Sequence, residues 1–160
     1  MIERLKPRDI REAAKVYNKR LRMEIPKGLS TLNKTIKHLK EVETFVYKKN
    51  NKIKGLISFI FKSKNEIKID FICALEQRRG IGTALMKRLA KFSMRKKIKF
   101  IYSNASSQDK RTIKFYEACG FKRYGKYFAD KNFMLFRIKA KPEWILEKIK
   151  SKERSLAKHI

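Results

Sequence analysis

The sequence predicts an α/β protein of the α+β kind, with a mixed, mostly antiparallel sheet of six to seven strands flanked by helices. Three observations carry this. Runs of helical and of strand-like spacing interleave along the chain. Three β-rich runs follow one another directly between Thr44 and Leu75. The third leads into a turn holding Gly80 and Gly82, and helical spacing resumes at once.

In chain order, Ile2 to Leu5 reads as a short strand that Pro7 stops. Asp9 is a candidate N-cap for a helix with Ile10, Ala13, Ala14, Tyr17 and Leu21 at helical spacing. Pro26-Lys27-Gly28 breaks the chain, and Ser30 or Thr31 caps a second helix carrying Leu32, Ile36 and Leu39. Thr44–Lys49 and Ile53–Phe61 are strands joined at Asn50-Asn51, residues that suit a tight hairpin. Ile67, Ile69, Phe71, Cys73 and Leu75 alternate, which puts Glu66, Lys68 and Asp70 on the opposite face unless a bulge intervenes.

After the glycine turn, Ile81, Leu85, Leu89 and Phe92 form the apolar stripe of a helix that must pack on a sheet. Lys99–Asn104 is a strand, and Ser106 to Asp109 supply the start of a helix running to Cys119. Gly120 suits the left-handed residue that ends it. Phe121–Phe128 and Phe133–Lys139 make a final strand pair. Pro142 suits the first turn of a last helix, whose Trp144, Ile145, Ile149 and Leu156 leave a partial apolar stripe. The expected division is a domain over 1–140 and a basic C-terminal helix over 141–160 that packs on it or extends from it.

Composition narrows the function classes. The 160 residues fit one domain, and 42% hydrophobic content supports a packed core. No apolar run approaches the roughly 18 residues of a membrane span, and Met1 to Pro7 lacks an apolar signal core. Cys73 and Cys119 stand apart without zinc-ligand spacing, so they read as small buried hydrophobes and no metal is expected. Together these point to the cytoplasm. A formal charge of +28, mostly lysine and spread along the whole chain, fits either a field that draws in RNA, ribosome or acidic protein, or a lysine-biased proteome.

The stretch Glu76-Gln77-Arg78-Arg79-Gly80-Ile81-Gly82-Thr83 organises the rest. Glycines let the backbone turn sharply and approach a ligand, and a helix N-terminus favours an anion. Arg78 and Arg79 add charge beside it. The physical reading is a phosphate cradle; a plain surface turn is the alternative for a lone Gly-x-Gly. A dinucleotide fingerprint is excluded by Leu85 at the third glycine position, and no P-loop Gly-Lys-Ser/Thr follows. Gln77 through Gly82 satisfy Gln/Arg-x-x-Gly-x-Gly/Ala, and here the sequence resembles the GNAT superfamily of N-acetyltransferases. Asp109-Lys110-Arg111-Thr112-Ile113-Lys114-Phe115-Tyr116-Glu117-Ala118-Cys119-Gly120-Phe121 resembles that family's Asn-x-x-Ala-x-x-x-Tyr-x-x-x-Gly-Phe segment. The resemblance spans about residues 2 to 139 and implies the GNAT acyl-CoA N-acyltransferase fold.

It also implies a chemistry. Acetyl-CoA is the expected co-substrate, its pyrophosphate held by the main chain of Arg78, Arg79, Gly80, Ile81, Gly82 and Thr83. Main chain near Asp70 and Ile72 would pair with the pantetheine arm and the acetyl carbonyl, beside a splayed gap toward the Lys99 strand. Tyr116 matches the tyrosine that protonates the CoA sulfur; as a phenol it is neutral at pH 7 and can donate. A core aromatic beside Phe115 is its other reading. Glu66 matches a glutamate that some members use as base, and a solvated strand residue is its other reading. Asn104 stands where ribosomal-protein N-terminal enzymes carry their glutamate, and it cannot be a base. Asp109 in place of asparagine puts one CoA contact in question, since an ionised carboxylate cannot donate to phosphate.

The expected activity is direct transfer of acetyl to a primary amine of a protein or peptide, with polyamines as a second acceptor class. A GNAT-fold module that binds RNA or ribosome with a vestigial CoA site is the alternative. The chain would act as a monomer or homodimer, with no membrane contact.

Overall fold

The structure, a computed structural model, describes residues 1–24 and 31–159. The expected break at Pro26-Lys27-Gly28 and the candidate cap Ser30 lie outside the described residues.

Strands β1 (Ile2–Arg4), β2 (Glu43–Lys49), β3 (Lys52–Ser63), β4 (Glu66–Ala74), β5 (Phe100–Ser106), β6 (Lys122–Asp130) and β7 (Phe133–Ala140) form a sheet in the order β1-β2-β3-β4-β5-β7-β6. The helices are α1 (Ile10–Glu24), α2 (Leu32–Glu41), α3 (Ile81–Arg95), α4 (Lys110–Ala118) and α5 (Pro142–Ala157). β4 and β5 are parallel, pairing Glu66–Lys68 with Phe100–Tyr102. The pairs β1–β2, β2–β3, β5–β7 and β6–β7 are antiparallel. The mixed, mostly antiparallel sheet and the interleaved order are those expected.

Local chemistry explains the element ends. Asn50 and Asn51 take φ of 52° and 59°, the doubly left-handed turn that matches the twist of a two-residue hairpin. Thr31 caps α2, its hydroxyl accepting from Lys34 N at 3.2 Å. Asp9 directly precedes α1, in the position expected of its cap. It closes a single 3-10 turn, Pro7–Asp9, and its carboxylate lies 2.7 Å from Lys48 Nζ, which also holds Glu3 at 2.8 Å. That ammonium ties β1, the turn and β2 together.

The chain divides into two compact units, Met1–Ile60 with Ile69–Arg88 and Phe61–Lys68 with Leu89–Ile160. In the first, Ala13, Ala14 and Val16 of α1 and Leu39 of α2 bury against Val46, Leu56 and Cys73 of the strands. Phe71 and Leu75 pack on the same cluster. In the second, Ile101, Ala105, Ile138 and Ala140 of the strands are buried, as are Ile113 of α4 and Phe121. Ile145 and Ile149 of α5 are buried too, whereas Leu156, on the same predicted stripe, is 64% exposed. The first half of the last helix packs down and its end does not.

Candidate active site

The first part of the site is the passage from β4 to α3. Leu75 N donates to Lys54 O at 2.8 Å, which holds the end of β4 against β3. Arg78 and Gly80 then take φ of 58° and 73°, with Arg79 between them outside the left-handed region. Alternation of φ sign turns successive amides to one side, as in an anion-binding nest. α3 starts at Ile81, and its first intrahelical bond is Ala84 N to Gly80 O at 2.9 Å. Helix geometry leaves the amides of Ile81, Gly82 and Thr83 without an intrahelical acceptor. A Cβ built on Gly80 would meet nothing within 4 Å, so the cradle is open there. Arg78 and Arg79 are exposed beside it. Open space, convergent donors and formal charge fit a diphosphate.

One residue that the sequence reading passed over sets this geometry. A Cβ on Gly55 of β3 would lie 2.7 Å from Cys73 O and 2.7 Å from Ile81 Cγ2. Ile81 is 4% exposed, so the first turn of α3 rests directly on the glycine. Its signal in the sequence was a lone Gly within a β-rich run, which marks close approach of a neighbour.

On β4, Asp70 and Phe71 do not alternate. Asp70 Oδ2 lies 2.8 Å from His38 Nε2 of α2 and accepts from Ser58 Oγ of β3 at 2.9 Å. Phe71 stacks on Tyr17 of α1, with ring centroids 4.2 Å apart. Consecutive side chains that both reach the α1–α2 side break the alternation, so Asp70 does not face away from Phe71 as an unbulged strand would have it. A carboxylate can only accept, so in this contact His38 donates through Nε2 and its Nδ1 is turned away from Asp70. Burial and the Asp70 charge push the Tyr17 phenol well above its ordinary range, so it stays protonated. Ile72, partly buried, follows on the same strand.

In the second unit, α4 presents Tyr116, which is 4% exposed. Ser103 Oγ of β5 donates to its hydroxyl at 3.0 Å. Asp109 is the N-cap of this helix, Oδ1 accepting from Thr112 N at 3.0 Å. The substitution of aspartate for asparagine therefore keeps a capping role. At the other end Gly120 N donates to Glu117 O and Phe121 N to Tyr116 O, each at 3.0 Å, with Gly120 at φ 92°. This is a Schellman cap, and it gives the Tyr-x-x-x-Gly-Phe spacing a physical reason.

Glu66 opens β4 and accepts from Tyr102 Oη of β5 at 3.0 Å. Burial and that carboxylate push the Tyr102 phenol up to about 12, so Tyr102 is the donor of the pair across the physiological range. Asn104 donates to Tyr127 Oη at 3.2 Å. Glu66 with Tyr102, Asp70 with His38, and Tyr116 with Ser103 are thus three separate polar pairs. His38, Ser58, Tyr102 and Ser103 were not singled out from the sequence; a lone histidine and two serines give no spacing signal. Among the described residues no cluster could hold a metal ion, and no helix is long and apolar enough to cross a membrane.

The profile of the Acetyltransferase (GNAT) family matches residues 10–121. No curated protein matches the sequence. Among solved structures, a ribosomal-protein-alanine N-acetyltransferase from Brucella melitensis superposes with a TM-score of 0.75 at 16% identity, over 88% of this chain and 99% of that one. A spermidine N-acetyltransferase from Vibrio cholerae, in complex with CoA and spermine, gives 0.75 at 16%, over 91% and 97%. A Salmonella typhimurium protein assigned to the acetyltransferases, solved with its cofactor acetyl-CoA, gives 0.75 at 14%, over 89% and 93%. With the fold, the glycine turn and the profile in agreement, the chain belongs to the GNAT family and is an acetyl-CoA-dependent N-acetyltransferase.

Proposed function

We propose that the protein transfers acetyl directly to a primary amine on a protein or peptide, in a ternary complex. The observation that carries the donor half is the left-handed pair Arg78 and Gly80 feeding the open first turn of α3. Main-chain amides from Arg78 to Thr83 hold the diphosphate, and main chain at Asp70 and Ile72 receives the acyl arm. Bound acetyl-CoA supplies an activated thioester. Tyr116, in the position of the family tyrosine, donates a proton to the leaving sulfur, and Ser103 fixes where its oxygen sits.

Glu66 takes the amine proton in this reading. A second reading rests on the 2.8 Å contact between His38 and Asp70: the carboxylate orients the imidazole, and Nδ1 accepts. For the acceptor, charge decides between classes. A chain of +28 repels a polyamine and favours an amine with acidic neighbours. A panel of acidic, neutral and basic N-terminal peptides beside spermidine, followed by CoA release, tests this. Turnover confined to spermidine would overturn the peptide assignment. No turnover of any amine, with acetyl-CoA bound, would overturn the primary-amine acceptor.

A further inference from the structure

One face of the sheet in the second unit carries aromatic rings and ammonium groups side by side. Tyr102 of β5 pairs with Lys139 of β7, which pairs with Lys122 of β6. Their sequence neighbours Ile101, Ser103, Ile138 and Ala140 are buried on the opposite face, so this one turns outward. Trp144 of α5, Phe100, Tyr102 and Tyr124 make a continuous row, with successive centroids 6.4, 6.1 and 5.8 Å apart. Lys122 Nζ lies 4.7 Å from the centre of Trp144, Lys139 Nζ 4.5 Å from Phe100 and 5.1 Å from Tyr124, and Lys62 Nζ 4.3 Å from Tyr102. Tyr124 is 46% exposed.

We propose that this face binds single-stranded RNA, bases stacking on the row while the lysines move to the phosphates. Each exposed cation–π contact holds a lysine by only about 0.5–1 kcal/mol, so a phosphate draws it off the ring and frees the ring face. Rings flanked by cations are the general platform for unstacked bases. Other occupants use less of what is present. An acidic protein pairs with the ammonium groups but gains little from four rings in a row. A duplex offers phosphates and hides its base faces. A second copy of the chain brings +28 against +28. Asn104 and the Tyr127 hydroxyl, bonded to each other at 3.2 Å, stand on β5 and β6 and provide partners for a 2′-hydroxyl. The inference does not depend on which amine accepts the acetyl group, although Tyr102 of the row also donates to Glu66, the base proposed above, at 3.0 Å.

The full chain is titrated with a 12-nucleotide oligouridylate, its DNA counterpart, polyphosphate and polyglutamate. Trp144, the sequence's single tryptophan, reports from within the row. Oligouridylate is expected to quench its fluorescence, and polyphosphate, which has charge but no bases, to bind without quenching. Tyr124→Ala should weaken RNA binding about tenfold with an unchanged salt slope, since stacking is worth about 1–3 kcal/mol per base. Lys62→Ala with Lys122→Ala should lower that slope by roughly 1.4, about 0.7 for each lost phosphate contact. Unquenched Trp144, wild-type affinity in Tyr124→Ala, or polyglutamate competing as well as RNA would each overturn the proposal. Equal affinity for the DNA strand would overturn the assignment to RNA.

Discussion

Phe121 closes α4 onto Tyr116 twice over: its N–H donates to the Tyr116 carbonyl at 3.0 Å, and the two rings meet edge to face at 5.0 Å. The proposed acid is therefore held by the cap of its own helix as well as by Ser103. Tyr116→Phe keeps the ring, the cap and the packing, and removes only the hydroxyl. Stability should fall by about 1 kcal/mol, the cost of leaving Ser103 Oγ without that partner. If the hydroxyl donates to sulfur, kcat should fall on the order of 10²- to 10⁴-fold with CoA affinity kept. A wild-type kcat measured with saturating acetyl-CoA would reduce Tyr116 to a core residue.

Two candidate bases, Glu66 of β4 and His38 of α2, make separable predictions. Glu66→Gln keeps the hydrogen bond from Tyr102 and removes the ionisable group. His38→Gln removes the imidazole and leaves Asp70 with Ser58. Whichever group takes the amine proton, its variant should lose the acidic limb of the kcat/KM profile while the other variant keeps it. If His38 is the base, Asp70→Asn should also lower kcat, because an amide no longer fixes the Nε2–H tautomer. Both single variants retaining a wild-type profile would assign the proton to water.

Much of the proposed donor site was legible in the chain because it is made by backbone. Gly80, Gly82 and the helix stripe after them report a turn and a helix start from residue type alone, and Tyr116, Gly120 and Phe121 report a helix end. The polar pairs were not legible. His38 meets Asp70 across 32 positions, and Ser103 meets Tyr116 from a neighbouring strand. Nothing in local spacing encodes such contacts. Alternation along β4 also misled, since a break between Asp70 and Phe71 leaves the period-2 pattern of the apolar residues intact. Gly55 shows the limit from the other side: its glycine is visible, and Ile81, the residue that requires it, is not adjacent.

Gly55→Ala tests that requirement. The new Cβ meets a backbone oxygen and a buried methyl at 2.7 Å, and the oxygen cannot swing away as a side-chain end would. The first turn of α3 must shift. We expect a stability loss of about 1–3 kcal/mol, typical of overpacking, and weaker CoA binding by calorimetry at a temperature where the variant is folded. Undiminished affinity would show that the cradle tolerates displacement of Ile81.

Gly82→Trp probes the cradle itself, in the first turn of α3. An indole there fills the space proposed for the diphosphate, so CoA binding should be abolished while acceptor-independent properties such as the melting temperature change little. Full affinity would remove the loop from the site.

Alkaline pH should destabilise the fold, with a sign fixed by burial. Cys119 is 2% exposed, and burial pushes its thiol from an ordinary 9.0 up to about 12. Tyr102 rises from 10.0 to about 12. For both groups the folded state keeps its proton where the unfolded chain has lost it. Stability is therefore full below about pH 9 and falls as pH rises toward 12. Melting curves from pH 8 to 11 should show that decline, and Cys119→Ala should flatten part of it. The same burial predicts thiol chemistry: Cys73 and Cys119 are both buried, so native protein at pH 8 should react with neither equivalent of a disulfide reagent and unfolded protein with both. Rapid labelling of Cys119 in the native chain would mean that the end of α4 opens far more often than the burial of Tyr116 and Phe121 allows.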